Sequence, residues 1–254
     1  DMVNYAPWRA QPIWALIQKI QKTTLFMPGN HDCTNVFQLI AEVIGSQPLA
    51  NISGRKQDHH YKALTQSLSN ASICGYSVHK FDIREFKFDI ISGRPFSMGG
   101  PSLSFKPYLK KAYGIETLQE SAARIKEQVD KSQNEQVLFL AHNGPSGLGD
   151  KRDDIWGCDF KKSEGDFGDP DLEDAIAYAR QKGKNVMAVI AGHMHQGLKG
   201  GGRRRWYVQE NGTHYMNTAR VPRIFEASNQ TMHHHVSLEL SEKGIQVIEK
   251  EISL

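Results

Sequence analysis

Two imidazoles separated by one residue, in Gly192-His193-Met194-His195, are the best-placed metal ligands in this 254-residue chain. The run before them, Val186-Met187-Ala188-Val189-Ile190-Ala191, is apolar and β-branched, as in a buried strand of a parallel sheet. On an extended or turning backbone alternate side chains point the same way. Both rings can therefore reach one point at the carboxyl edge of a sheet, where open α/β folds keep their ligands. Imidazole is a common ligand for borderline divalent cations. Alone, the pair is as readily two loop histidines that bind nothing.

Two further blocks shift that balance. Thr24-Leu25-Phe26-Met27-Pro28 is apolar and ends in Gly29-Asn30-His31-Asp32. Asn30 offers a neutral oxygen that can ligate a metal. Asp32 beside His31 fits a carboxylate that fixes an imidazole's tautomer and favours its protonated form. The run Gln136-Val137-Leu138-Phe139-Leu140-Ala141 leads into His142-Asn143-Gly144-Pro145, where Asn143 and Gly144 are expected to shape the turn. A fourth block, Asp1-Met2-Val3-Asn4, sets a carboxylate three positions before an amide. A lone pair of that spacing has little specificity, and its place ahead of the other blocks gives it meaning.

In this order the blocks resemble the calcineurin-like metallophosphoesterase superfamily, whose motifs run D-x-H, G-D-x-x-[DN], G-N-H-[DE], a lone His, and G-H-x-H. Gly93-Arg94-Pro95-Phe96-Ser97, the stretch Leu140 to Gly149, Gly165 to Leu172, and Asn217 to Arg223 resemble a cyanobacterial and plant-type subfamily without an assigned substrate. The likeness spans nearly the whole chain. It implies two divalent cations (manganese, iron, zinc or cobalt, with manganese favoured) and hydrolysis of a phosphomonoester or phosphodiester by hydroxide activated between them. Carried over, Asp1 would bridge the ions. Asn30, His142 and His193 would hold one, and His195 the other. His31, oriented by Asp32, would protonate the leaving group. Asn4 would contact substrate phosphate or order the metal-bound water. The D-x-H block is absent ahead of Asp1, so the domain at 1–254 is expected to be N-terminally incomplete.

The bulk composition suits one α/β domain. Its 31 basic and 28 acidic residues leave a net charge of +3, which makes no electrostatic case for nucleic acid. The expected partner is a phosphorylated small molecule, lipid or nucleotide. The run Lys199–Arg205 reads as a mobile, solvated loop. The cysteines Cys33, Cys74 and Cys158 are scattered and odd in number, which fits a reducing compartment. The expected location is the cytoplasm, or the plastid stroma for a plant-type source. No run of about eighteen apolar residues exists, so no membrane span is expected.

The elements that must position these side chains alternate along the chain. Helices are expected at 8–22, 35–44, 115–132 and 170–182, with a further short helix from Tyr61 to Leu68. Strands are expected at 24–27, within 73–92, and at 206–209, 213–217, 234–240 and 246–252. Asp169 reads as the N-cap ahead of Pro170. Together with the resemblance this implies a four-layer αββα sandwich of mixed β-sheets flanked by helices.

Arg94 and Arg220 stand beside prolines in turn-like segments. A guanidinium fork there suits phosphate, although structural arginines are commoner. Gly165-Asp166-Phe167-Gly168-Asp169 also spells G-D-x-x-D, at the wrong place in the motif order; Asp166 is more readily structural than a ligand. His233-His234-His235 on a strand cannot all face one site, and these rings are expected to be partly exposed. Two other classes stand beside the enzyme: a non-catalytic scaffold on the same fold, and a nuclease of the superfamily. His31 argues against the scaffold, and the weak charge against the nuclease.

Overall fold

The computed structural model describes residues 15, 17–32, 36–53, 59, 62, 65, 71–160 and 165–253. Asp1, Asn4, Cys33, most of the helix expected at 8–22 and most of the short helix expected at 61–68 lie outside them.

The elements run β1 (Thr24–Phe26), α1 (Val36–Val43), α2 (Gln47–Ser53), β2 (Ala71–Ile73), β3 (Val78–Ile83), β4 (Phe86–Ser92), α3 (Lys106–Tyr113), α4 (Leu118–Lys131), β5 (Gln136–Leu140), α5 (Pro170–Gln181), β6 (Asn185–Ala191), β7 (Tyr207–Glu210), β8 (Thr213–Asn217), β9 (Ile224–Ala227), β10 (Gln230–Ser241) and β11 (Gly244–Ser253). Six strands form one mixed sheet in the order β3-β4-β5-β6-β8-β7. Its centre, β4 to β8, is parallel, and its two edges are antiparallel. The tail strands form a second sheet, β11-β10-β9, and β1 pairs in parallel with β2.

Both faces of the central sheet are covered, which is why β5 and β6 read as unbroken apolar runs. On one face Val137, Phe139, Val186 and Val189 join Ile125 and Val129 of α4 and Leu172, Ala175, Ile176 and Ala179 of α5. On the other, Phe88, Leu138, Met187 and Met216 meet Val236, Leu238, Leu240, Ile245 and Val247 of the β10-β11 hairpin. The mixed-sheet sandwich with flanking helices stands as expected from the alternation of residues.

Boundaries moved where local hydrogen bonds decide them. The helix expected from residue 115 starts at Leu118, because the Thr117 hydroxyl accepts the Glu120 N–H at 3.1 Å and the Glu120 carboxylate accepts the Thr117 N–H at 3.0 Å. Helix α3 was not foreseen, since Pro107 and paired lysines mask its short pattern. Asp169 does sit at the N-cap of α5, but its side chain makes no capping bond. It turns inward instead, accepting from Arg94, Ser97 and Asn143.

Candidate metal and active site

Strands β5 and β6 are parallel neighbours, so their carboxyl ends deliver His142, His193 and His195 to one edge. Their pairing continues past the strands, with the Gly192 N–H on the His142 carbonyl at 2.8 Å. The turn after β1 brings Asn30 across to this edge. Its side-chain oxygen lies 3.0 Å from His142 Nε2, and its backbone N–H reaches the same nitrogen at 3.4 Å. The His142 and His193 ring centroids are 5.0 Å apart. Asn30, His142 and His193 thus meet from three separate stretches of chain.

The backbone at His193 is strained. Its φ is +65°, and the Met194 N–H bonds back to the Gly192 carbonyl at 2.8 Å. This is a tight three-residue turn with positive φ, a rare conformation that clusters at functional sites. Met194 is buried in the core between the two imidazoles and anchors the turn. His193 Nε2 lies 3.1 Å from the Met98 carbonyl. Nε2 therefore carries the proton, and Nδ1 keeps the lone pair.

Burial holds these imidazoles neutral. It pushes His193 down to about 3 and His142 well below the usual histidine range, with neighbouring imidazoles adding to the effect. His31 falls to about 4 through burial, against the pull of Asp32. Burial also lowers His195, opposed by the Asp159 carboxylate. His79, His214 and His235 are lowered as well, again first by burial. Below about pH 6.5 the unfolded chain takes up protons that these folded histidines refuse. Stability is therefore fully present above that pH and falls as pH drops toward 4. The buried carboxylates Glu42, Asp166 and Asp169 are raised by burial and oppose this trend, but are fewer. The thermal midpoint is expected to be lower at pH 5 than at pH 7; an equal or higher midpoint at pH 5 would refute the balance.

The donor set fits a divalent cation. Two ligand atoms each about 2.1 Å from one ion, at roughly a right angle, lie about 3.0 Å apart. Asn30 Oδ1 and His142 Nε2 have that separation. The same 3.0 Å contact is a hydrogen bond when His142 Nε2 carries the proton; with the proton on Nδ1, Nε2 and Oδ1 could both ligate one cation. Among the described residues no three His, Cys, Asp or Glu side chains alone make a metal-holding group. The cluster includes a carboxamide, and Asp1 lies outside the described residues.

Two cavities open at the histidines. One of about 180 Å³ is lined by His142, His193, His195, Thr218 and Arg223. Another, of about 270 Å³, is lined by His31, Asp159, Phe160, His193, His195 and Lys199. Asp32 is fully buried and accepts the Gly29 N–H at 2.8 Å, which closes the turn that carries Asn30 and His31.

Two readings from the sequence, those of Arg94 and Arg220, change here, and the structural reading of Asp166 stands. Arg94 is 2% exposed and pairs with both Asp169 and Asp171 at 3.0 Å. Burial works against its charge, yet the two carboxylates raise its pKa overall. It is a buried structural cation that substrate cannot reach. Arg220 is committed to Glu251 and lies 3.9 Å over the Phe225 ring. Arg223, three residues on in the same segment, is the arginine that lines the histidine cavity; proximity to proline alone could not separate the two. Asp166 ties its own loop, accepting from Gly147 at 2.6 Å and Gly168 at 2.8 Å.

The basic run Lys199–Arg205 is not uniformly solvated. Arg204 is 1% exposed and donates to the carbonyls of Arg152, Asp154 and Gly157, to the His195 carbonyl at 3.1 Å, and to Asp159 at 3.0 Å. It locks the loop 152–159 against the end of the G-H-x-H turn, a role hidden by the glycines and exposed arginines around it. Among the consecutive histidines, His234 is buried, with Nε2 2.8 Å from Glu249, while His233 and His235 stack together at 5.7 Å. Asn143 and Gly144 do shape the turn. Asn143 donates to the Phe167 carbonyl at 2.9 Å, and a Cβ on Gly144 would meet Trp156 at 2.0 Å. Cys74 and Cys158 are free and buried.

No helix among the described residues is long and apolar enough to cross a membrane. Comparison with curated proteins finds no match. A solved structure from Staphylococcus aureus, named for 5'-nucleotidase activity and determined with alpha-ketoglutarate, aligns at 12% identity with a TM-score of 0.39. The alignment covers 97% of this chain but 48% of that one, so this chain spans about half its length. The profile of the calcineurin-like phosphoesterases matches residues 1–197. With that match over most of the chain, and its Asn and His ligand types gathered at one sheet edge, the chain belongs to the calcineurin-like phosphoesterase family, a family of hydrolases of phosphoric ester bonds that use divalent metal ions.

Proposed function

We propose that this chain hydrolyses a phosphoric ester, mono- or diester, of a small phosphorylated molecule. The carrying observation is the meeting of Asn30 and His142 at 3.0 Å, beside His193, from positions far apart in the sequence. Asn30, His142 and His193 would hold one cation. His195 would hold a second, with Asp1 between them, and manganese is the favoured ion. Bound there, divalent cations would polarise phosphate oxygens and lower the pKa of the attacking water.

The remaining roles fall to the chain's own groups. His31 lines the cavity beside His193 and His195, and is the proton donor for the leaving oxygen. Its imidazole is neutral in the free protein; a phosphate ester bound beside it raises its proton affinity. Arg223 supplies a guanidinium fork for an anionic oxygen in the other cavity at the histidines. Asn4 remains a candidate for a phosphate contact.

The test is hydrolysis of p-nitrophenyl phosphate and bis-p-nitrophenyl phosphate with added manganese, before and after chelation. Activity abolished by chelator and restored by metal supports the reading. A folded, metal-loaded chain that turns over neither ester would instead be a scaffold on this fold. Arg223→Ala is expected to raise KM about tenfold to a hundredfold with kcat changed less than threefold, since a lost charged hydrogen bond costs about 1.5–3 kcal/mol in ground-state binding. An unchanged KM would remove Arg223 from the site.

A further inference from the structure

A third cavity, of about 400 Å³, opens from His193 and is walled by Met98, Leu103, Val43 and the rings of Phe160 and Phe167. Phe160 and His193 also line the 270 Å³ cavity that holds His31, so the two spaces adjoin at these side chains. Phe160 is 43% exposed, so part of its ring is open to the cavity. It stands edge-on to Phe167, at 4.9 Å between centroids and 86° between planes. Phe167 fixes it from one side and leaves aromatic surface free at the cavity wall.

The lining of this cavity also carries the polar side chains of Glu42, Ser102, Ser104 and Lys106. Glu42 Oε1 is buried without a hydrogen-bond partner. A buried acceptor left unmatched costs free energy until a donor arrives. The lining therefore combines an imidazole of the candidate site, an aromatic wall and a buried acceptor oxygen with no partner, and a volume of this size suits a ligand of one or two rings.

We propose that this cavity is the leaving-group subsite, and that it selects phosphate esters whose alcohol carries a planar aromatic ring with a hydrogen-bond donor on its far edge. This assignment rests on the phosphoesterase reading. The ring lies against Phe160, the donor meets Glu42, and the ester oxygen is left near His31.

The experiment uses non-hydrolysable probes, so it does not depend on turnover. Phenylphosphonate and cyclohexylphosphonate carry the same charge on a six-membered ring, planar in one and puckered in the other. Their dissociation constants are measured by calorimetry with the manganese-loaded protein. The wild type is expected to bind the phenyl compound about threefold to tenfold more tightly, the range of an aromatic pair. Phe160→Leu, which keeps apolar bulk against Phe167, is expected to bring the ratio near one. Glu42→Gln is expected to leave that ratio unchanged while weakening 4-aminophenylphosphonate relative to phenylphosphonate. Equal binding of the two rings by wild type, or a preference that survives Phe160→Leu, would overturn the assignment. Turnover of aryl esters together with equal ring binding would overturn it alone and leave the phosphoesterase reading standing.

Discussion

His31→Ala is expected to lower kcat on a phosphoester with a poor leaving group by about a hundredfold or more, while metal content stays within twofold of wild type. General acid catalysis contributes about 10²–10⁴-fold. The site separates the two effects. His31 lines the cavity, whereas the group that meets His142 at 3.0 Å is its neighbour Asn30. Burial holds His31 down at about 4 in the free protein, so substrate charge must raise it before it can act as an acid. The loss should therefore shrink as the leaving group improves, because a nitrophenolate departs without a proton. Metal content by atomic emission, with kcat across a series of leaving-group pKa values, measures both. Full activity on an alkyl ester, or loss of metal parallel to loss of activity, would remove the acid role. Asn30→Ala is the contrasting variant, since it should lose metal and turnover together.

Arg94→Met is expected to cost about 3–5 kcal/mol of stability, the range for breaking a buried ion pair. In a chain of this size that lowers the thermal midpoint on the order of 10 °C. Arg94 holds Asp169 and Asp171, both buried, and Asp171 also takes the Ser121 hydroxyl, which meets the Tyr76 hydroxyl at 2.8 Å. Asp169 in turn takes Ser97 and Asn143, the residue after His142. The network thus joins the turn after β4, the turn after β5 and the start of α5. Without the cation, two carboxylates remain in a dry space. Arg94→Lys should recover little, because an ammonium cannot span both carboxylates as the fork does. Neutralising both acids along with Arg94→Met should recover part of the loss. A variant of wild-type stability but weakened phosphate binding would return Arg94 to the substrate role suggested by its place beside Pro95.

Local chemistry made much of this protein legible in its sequence. Strands β5 and β6 are buried on both faces, so Val137 to Leu140 and Val186 to Ala191 had to be apolar throughout, and the turns after them had to carry the polar groups. Helices α4 and α5 announce themselves by apolar spacing, and α5 also by Pro170 at its start, whereas the Thr117 and Glu120 cap that sets the start of α4 went unread. Motif order along the chain supplied Asn30, His31, His142, His193 and His195, because each stands at a fixed offset from a strand end. Residue type and spacing carry that information within a few neighbours.

What a residue faces is another matter. Arg94, Arg204, Arg220 and Arg223 are the same residue in similar turn-like surroundings, yet one is buried between carboxylates, one ties a loop to the His195 carbonyl, one leaves for Glu251, and one lines the histidine cavity. Asp169 holds a capping position but bonds elsewhere, since the buried guanidinium is a stronger partner than a helix N–H. Phe160 gives no sign in sequence of standing between two cavities. The order of the motifs along the chain determined the family and the ligand types. Only tertiary packing, which brings segments a hundred residues apart to within hydrogen-bonding distance and decides which charges lose their water, places Arg223 and Phe160 against the cavities at the histidines and buries Arg94 between two carboxylates.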